Sequence, residues 1–296
     1  ALLFCYNGND AAAANMMEKL YASLAETGLE RRGSDWEGFD SLGGHYVHTL
    51  EGPHIFENGW DETLPEDMEI DGIIFPSRHR AASGKKSLTV HHMGIFLEAR
   101  PEYGGQSSHL CPPMPKTEAL LLRLMAKHAS AAPGYAVSLE VTHHGPALKT
   151  PCLNIEIGST PEHWPMEGPG LAQAAVLKEA FFSETPHELA PGEKTPVAVG
   201  FGGGHYAPRF TDIVRNYDVS VGHIVPTYIF EAAQEEGVSM EELVEITLES
   251  TPSAELAYFD RKSLKKRYSP LKKMCRERGL TPVRAKNLEP LSSDTD

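Results

Sequence analysis

"YAVSLEVTHHGPALKTPCLNIEIGS", residues 135–159, alternates apolar and polar residues at both ends and turns at Gly145 and Pro146 between them. Side chains of a strand point to its two faces in turn, so Val137, Leu139 and Val141 share one face and Ser138, Glu140 and Thr142 the other. The second half repeats the pattern, with Leu153, Ile155 and Ile157 opposite Asn154 and Glu156. Two neighbouring strands of this kind would bring Glu140 and Glu156 onto a common face and leave His143 and His144 at a strand end. Ligands bind at such ends in open α/β sheets.

Working outward, "ALLFCY" at residues 1–6 predicts a short strand, and Asp10 stands at the N-cap of a run with Met16, Met17, Leu20 and Leu24 at helical spacing. Further strands are expected at 45–50, 70–75, 196–201, 219–225 and 255–260, and helices at 116–129, 171–183, 227–236 and 239–249. Ser239 and Glu242 form a capping-box pattern. The alternation predicts an α/β fold with three layers around a central, mostly parallel or mixed sheet. Residues 76–114, with their Pro, Gly and Ser and four histidines, read as an irregular site-lining loop, and Ser183–Pro196 as a surface linker.

With 41% hydrophobic and 23% charged residues in 296, the composition excludes a disordered chain. No run approaches the ~18 to 20 apolar residues of a membrane span, and residues 1–6 are too short and uncharged for a signal peptide. A soluble, cytoplasmic protein with no membrane partner and no evident protein partner is expected. Cys5, Cys111, Cys152 and Cys275 form no CxxC pair, which argues against a disulfide framework or a thiolate zinc knuckle. Net charge is −14, yet residues 261–286 hold eleven Lys/Arg against the single acid Glu277. There Leu264, Tyr268, Leu271, Met274 and Cys275 follow helical spacing and would pack inward, leaving a cationic face for phosphates or simply for water. Residues 1–260 are thus expected to form the α/β catalytic domain, and 261–296 a basic helix with an acidic tail packed on it.

Fourteen histidines are the unusual feature of the composition. "VAVGFGGGHYAPRF", residues 197–210, is a buried strand running into a glycine turn, where Gly203 and Gly204 allow close backbone approach and His205 and Tyr206 are presented. It fits neither GxxxxGK[ST] nor GxGxxG. "VSVGHIVP" offers His223 at another strand end. "FPSRHRAASGKKSLTVHHMG", residues 75–94, contributes His79, His91 and His92 interleaved with Ser77, Arg78, Arg80, Lys85 and Lys86, a mixture suited to an anionic substrate such as a phosphodiester backbone. Taken singly, each histidine beside a turn is more often a hydrogen-bonded structural residue, and Glu140 alone could pair with Arg78. With no GxSxG elbow, HExxH helix or papain-like cysteine, hydrolysis would use activated water. Imidazoles and carboxylates together are also good zinc ligands.

"SRHRAASGKKSLTVHHMG", "EVTHHGP", "NIEIGSTPEHW", "GFGGGHYAPR" and "VGHIVP" occur in an order that resembles the D-aminoacyl-tRNA deacylase family of archaea and plants, over roughly residues 70–260. The resemblance implies hydrolysis of the ester joining a D-amino acid to the 3′ end of tRNA, a proofreading or detoxifying activity. It also implies a phosphorylase/peptidyl-tRNA hydrolase-like fold and, from the plant members, zinc. It places His79, His91, Glu140, His143, His144, Glu156, His205 and His223 around the site. Where archaeal members tend to read HxxGN, this chain ends on Ile95. We expect His143 and His144, with Glu140 or Glu156, to bind the metal or orient water, and His205 to contact the aminoacyl or adenosine group with backbone N–H groups facing the oxyanion. The surrounding Ser77, Arg78, His79, Lys85, His91, Gly203, Gly204, Tyr206 and His223 would bind substrate. Alternatives are a nucleoside phosphorylase-like or other metal-dependent hydrolase, and a noncatalytic tRNA-binding protein.

Overall fold

The computed structural model describes residues 1–183 and 187–291. Residues 184–186 of the expected linker and 292–296 of the expected acidic tail lie outside the described residues. Strand Leu2–Asn7 (β1) leads to Asp10, whose carboxylate accepts the N–H groups of Ala12 and Ala13 and caps helix Ala11–Ala25 (α1). The other strands of the first half are Arg32–Gly33 (β2), Phe39–Leu42 (β3), His45–Leu50 (β4), Gly72–Arg80 (β5), Ser87–His91 (β6), the short pair Gly94–Ile95 (β7) and His109–Leu110 (β8), Ala136–Leu139 (β9) and Cys152–Ser159 (β10). Eight of them form one mixed sheet in the order β2-β3-β4-β1-β5-β10-β6-β9. Strands β4, β1, β5 and β10 are mutually parallel, while β6 runs antiparallel to β10.

Two expectations change here. Strands β9 and β10 are not neighbours, because β6 lies between them. The segment 76–114 is not wholly irregular either, since β5 continues to Arg80 and "SLTVH" pairs with β10 along its whole length. Pro76 is tolerated inside β5 because the β1 pairing has already ended at Ile74, so no ladder bond is lost on that side.

Alternation along the central strands sorts their side chains. Leu88, Val90, Leu139, Leu153, Ile155 and Ile157 join the core beneath α1 and the helices Pro115–His128 (α2) and Glu167–Phe181 (α3). At ~1.5–3 kcal/mol per fully buried aliphatic side chain, this core fixes the register. The opposite face carries Leu3, Cys5, Ile73 and Phe75 at one end and Ser77, His79, Thr89, His91, Asn154 and Glu156 at the other.

A second, parallel sheet has the order Ser220–Val225 (β12), Val197–Phe201 (β11), Ala254–Phe259 (β13), Thr281–Val283 (β14). Helices Pro208–Asn216 (α4), Thr227–Glu236 (α5), Met240–Glu249 (α6), Arg261–Leu264 (α7) and Tyr268–Glu277 (α8) accompany it, and Ser239 with Glu242 makes the expected capping box. Leu264, Leu271 and Cys275 are buried in the core of this sheet, so the basic segment does pack by its apolar stripe. The two sheets meet after β9, where Val141 N–H donates to His205 O, Thr142 N–H to Ile224 O and Ala207 N–H to Leu139 O. Buried Arg123 adds donations to the carbonyls of Val214, Leu189, Tyr217 and Val219. Among the described residues no helix is long and apolar enough to cross a membrane.

Candidate active site

A cavity of about 1210 Å³ opens at this seam, and His79, His143, His144, Glu156, His205 and Tyr206 are among its walls. Each comes from a different piece of backbone. The polar face of β5 supplies Ser77 and His79, that of β6 Thr89 and His91, and that of β10 Asn154 and Glu156. The chain leaving β9 supplies Glu140, His143 and His144, and the glycine turn after β11 supplies His205 and Tyr206. Although β6 separates β9 from β10, the two glutamates still converge, both within 3.5 Å of His79 Nδ1.

Glu156 is firmly held. Ser77 Oγ donates to Oε1 at 2.9 Å, and Oε2 lies 3.5 Å from His79 Nδ1 and 3.6 Å from His91 Nε2. Burial pushes this carboxyl upward, but the hydrogen bonds and charge of His79 and His91 together outweigh it, leaving it well below the usual range. For the two histidines burial again opposes charge, and Glu156 with Glu140 overcomes it, raising both.

Glu140 differs. Its carboxylate has no exposed surface and stands 2.9 Å from His205 Nε2, 3.1 Å from His79 Nδ1 and 3.6 Å from His143 Nε2. Despite the short distances, neither oxygen receives a hydrogen bond of acceptable direction. In the adjoining cluster three imidazoles have committed one proton each: Nδ1 of His91, His143 and His144 lies 3.0, 2.8 and 2.6 Å from the carbonyls of His92, Val141 and Gly145. A carbonyl only accepts, so each Nδ1 carries a proton. Burial, followed by the charge of His91, pulls His143 well below its ordinary range and His144 down to about 3, so both rings are neutral with Nε2 lone pairs turned inward. His144 also holds φ 40, a left-handed conformation that a residue with a side chain rarely adopts.

Ligand atoms of His91, His143 and His144 lie within 4.8 Å of one another, as do those of His91, Glu140 and Glu156 and of His79, Glu140 and His205. Lone pairs facing a buried carboxylate repel it unless a cation intervenes. The orphaned oxygens of Glu140 and the carbonyl-backed imidazoles therefore fit a divalent ion.

The remaining expected residues fall into three positions. Tyr206 Oη is 3.0 Å from His79 Nε2, and Lys85 Nζ lies 5.2 Å over the Tyr206 ring. Arg78 is exposed on the cavity wall 3.8 Å from Asp10, not paired with Glu140. Gly203, Gly204 and His223 do not line the cavity. Gly203 N–H is used by Ser263 Oγ at 2.8 Å, which removes it as an oxyanion donor. His223 is fully buried behind the site: Thr142 Oγ1 accepts the Ile224 N–H, so its own proton goes to His223 Nδ1, and His223 Nε2–H donates to Cys111 O at 2.9 Å. That imidazole is a strut for the backbone beside His143. His92 is likewise structural, accepting the Met114 N–H and lying 3.1 Å from Glu118.

Sequence reading missed Asn154 and His54. Asn154 Nδ2 is 3.4 Å from Nε2 of both His91 and His144, and its place on the polar face with Glu156 was the available signal. His54 stacks on Phe75 and meets the His144 ring edge-on at 6.0 Å; an isolated loop histidine gives no such signal.

The sequence profile of the D-aminoacyl-tRNA deacylase family matches residues 66–282. A protein of Methanosarcina acetivorans named D-aminoacyl-tRNA deacylase is 39% identical over 223 residues, spanning 73% of this chain and 68% of its own length. Proteins of the same name from Cenarchaeum symbiosum and Arabidopsis thaliana are 32% and 34% identical, over 76% and 57% of this chain and 79% and 56% of theirs. The crystal structure of a conserved protein of unknown function superposes with a TM-score of 0.81 at 26% identity, covering 97% of this chain and 96% of that one.

Proposed function

We propose, from the premise that this chain belongs to the D-aminoacyl-tRNA deacylase family, that the cavity hydrolyses the ester between a D-amino acid and the 3′ end of tRNA, releasing both. The observation that supports this reading is the buried Glu140 carboxylate, undirected yet 3.6 Å from His143 Nε2 and 2.9 Å from His205 Nε2, beside the ligand atoms of His91, His143 and His144 gathered within 4.8 Å of one another.

An aminoacyl ester is already activated, so a positioned water, a base and stabilisation of charge on the carbonyl oxygen suffice. His205 serves as the base. Its ring reaches the cavity and is held 2.9 Å from Glu140 Oε2, a pairing that tightens into a directed bond once substrate is seated. It takes a proton from the attacking water and returns it to the departing ribose oxygen, while the hydroxyl is added to the acyl carbon. Glu156, pinned by Ser77, orients His79 and His91, and Tyr206 faces the aminoacyl group. His91, His143 and His144, with Glu140 or Glu156, would hold a divalent ion, and zinc suits imidazole and carboxylate donors. When bound, such an ion supplies Lewis-acid stabilisation of charge developing at the ester carbonyl.

Residues 1–260 act as the catalytic part, on a three-layer architecture of the phosphorylase/peptidyl-tRNA hydrolase kind, in the cytoplasm. The exposed cations of 261–276 neutralise tRNA phosphates, so affinity falls steeply with salt. Release of amino acid from matched D- and L-aminoacyl-tRNA, before and after chelation, tests the proposal. Selective loss of the D-ester supports it, and a rate equal to that in buffer with divalent ions restored sinks it.

A further inference from the structure

Three aromatic side chains at the mouth of the cavity have no part in the chemistry described so far. Phe56, Tyr103 and Tyr228 are 50%, 51% and 41% exposed, and all three line the same cavity. Exposed large apolar groups scattered singly need no explanation, but a cluster on one concave rim marks a binding surface. Ile55, Ile95 and Ile229 extend the apolar wall between them.

The wall is built to be rigid and is fastened to the reacting centre. Gly105 N–H donates to Ile55 O at 3.2 Å and Gly145 N–H to Tyr103 O at 2.9 Å. Asn58 clamps the same corner, donating to Gly105 O and accepting the Ala147 N–H, both at 2.9 Å. The backbones approach so closely that a Cβ on Gly104 would lie 1.8 Å from Ile55 O, and one on Gly145 2.1 Å from Gly105 N. Tyr103 is therefore one hydrogen bond away from the residue that follows His144, and Phe56 sits next to the residue that accepts from Gly105.

We propose that Phe56, Tyr103 and Tyr228 are a stacking surface for the unpaired nucleotides at the 3′ end of tRNA, so that substrate is gripped by its terminal bases as well as by its ester. The proposal rests on the deacylase reading of the cavity. With the ester at the histidine cluster, the nucleotides must trail outward from the ribose oxygen, past the half-exposed rings at the mouth. Single-stranded nucleic acid is held by aromatic faces and by cations that follow its backbone. Arg80 and Arg100 supply such cations on the same rim, exposed and with no carboxylate partner among the described residues, while Arg78 lies near Asp10. Glu98, Glu102 and Glu236 share the rim, so its charge is mixed and the cations available to a phosphate are Arg80 and Arg100. Helix α5, which carries Tyr228, also carries Glu231, 3.8 Å from Arg267, so the basic segment continues outward from the aromatic wall. The duplex stem would follow there.

The test uses a non-hydrolysable, amide-linked D-aminoacyl-tRNA, either intact or with its last two nucleotides made abasic, and measures Kd for wild type and for Phe56→Ala, Tyr103→Ala and Tyr228→Ala. Wild type should bind the abasic ligand about tenfold or more weakly, as expected for stacking worth ~1–3 kcal/mol per base. Each variant should lose a comparable factor on the intact ligand and little more on the abasic one, with Tyr103→Phe and Tyr228→Phe near wild type. Equal wild-type affinity for both ligands, or losses that multiply between variant and abasic ligand, overturns the proposal. So does a variant that changes the preference among D-amino acids instead, which would place the rings in the aminoacyl pocket. Failure of the deacylase reading is separately visible, as no release of amino acid by wild type from hydrolysable D-aminoacyl-tRNA.

Discussion

Two groups of histidine and glutamate in this molecule use the same residue types to opposite ends. On α3, Glu179 collects Lys127, His128 and His187, with His128 Nε2 2.6 Å from Oε2 and its own side chain 23% exposed. Burial opposes its ionisation, but Lys127, His128 and His187 outweigh that and hold the carboxyl down at about 2. In the cavity Glu140 is also ringed by imidazoles, yet His143 has spent its Nδ1 proton on a backbone carbonyl and turns a lone pair toward the carboxylate. The first cluster is saturated and contributes stability. The second is unsaturated: neither Glu140 oxygen receives a directed hydrogen bond, an arrangement that leaves room for a divalent ion.

That contrast can be broken in several ways. His144→Ala should lower turnover by about 10³-fold or more with the far-ultraviolet dichroism unchanged, as expected for loss of a ligand or water-orienting group, whereas Glu179→Gln should turn over at the wild-type rate. Full activity in the His144 variant would place the chemistry elsewhere. Glu140→Gln keeps shape and removes charge; divalent-ion affinity should fall about tenfold or more and kcat about 10²-fold, measured by competition with a chelating dye and by single turnover. Gly145→Ala forces a Cβ to within 2.1 Å of Gly105 N, so the His144 turn must move, and kcat should drop about 10²-fold. The smallest effect is thermodynamic. The folded carboxyl of Glu179 titrates near 2, below its ordinary 4.5, so its stabilisation is complete above that ordinary value and is lost as pH falls through 2. Glu179→Gln should thus cost about 1 kcal/mol in urea unfolding at pH 5, the difference fading toward pH 2. A cost that grew on acidification would reverse the assigned sign.

Local signals were legible from sequence alone. Alternation in residues 135–159 placed Glu140 and Glu156 on one face, the Asp10 cap and the Ser239 capping box marked helix starts, and the apolar stripe of 264–275 packs inward. Non-local pairing was not legible. Nothing in "SLTVH" says that it slots between β9 and β10, since a strand's partner is chosen by the whole sheet and not by its own pattern. Within the site, the strand-end histidines were findable, but which of them face the cavity was not. Both histidines follow apolar residues and glycines, yet His205 lies on the turn beyond β11 while His223 sits inside β12 and not at the strand end its sequence suggested, and only the Thr142–His223–Cys111 chain shows that the latter is already satisfied. The aromatic mouth was invisible for the same reason, because Phe56, Tyr103 and Tyr228 lie far apart in sequence.

Divalent-ion stoichiometry decides most directly whether the unsaturated cluster is completed by a cation. Protein stripped with chelator, reloaded with zinc and dialysed should retain one equivalent per chain in wild type and in Glu179→Gln, and none in His144→Ala. No retained ion in wild type, or equal retention in the His144 variant, would contradict the account.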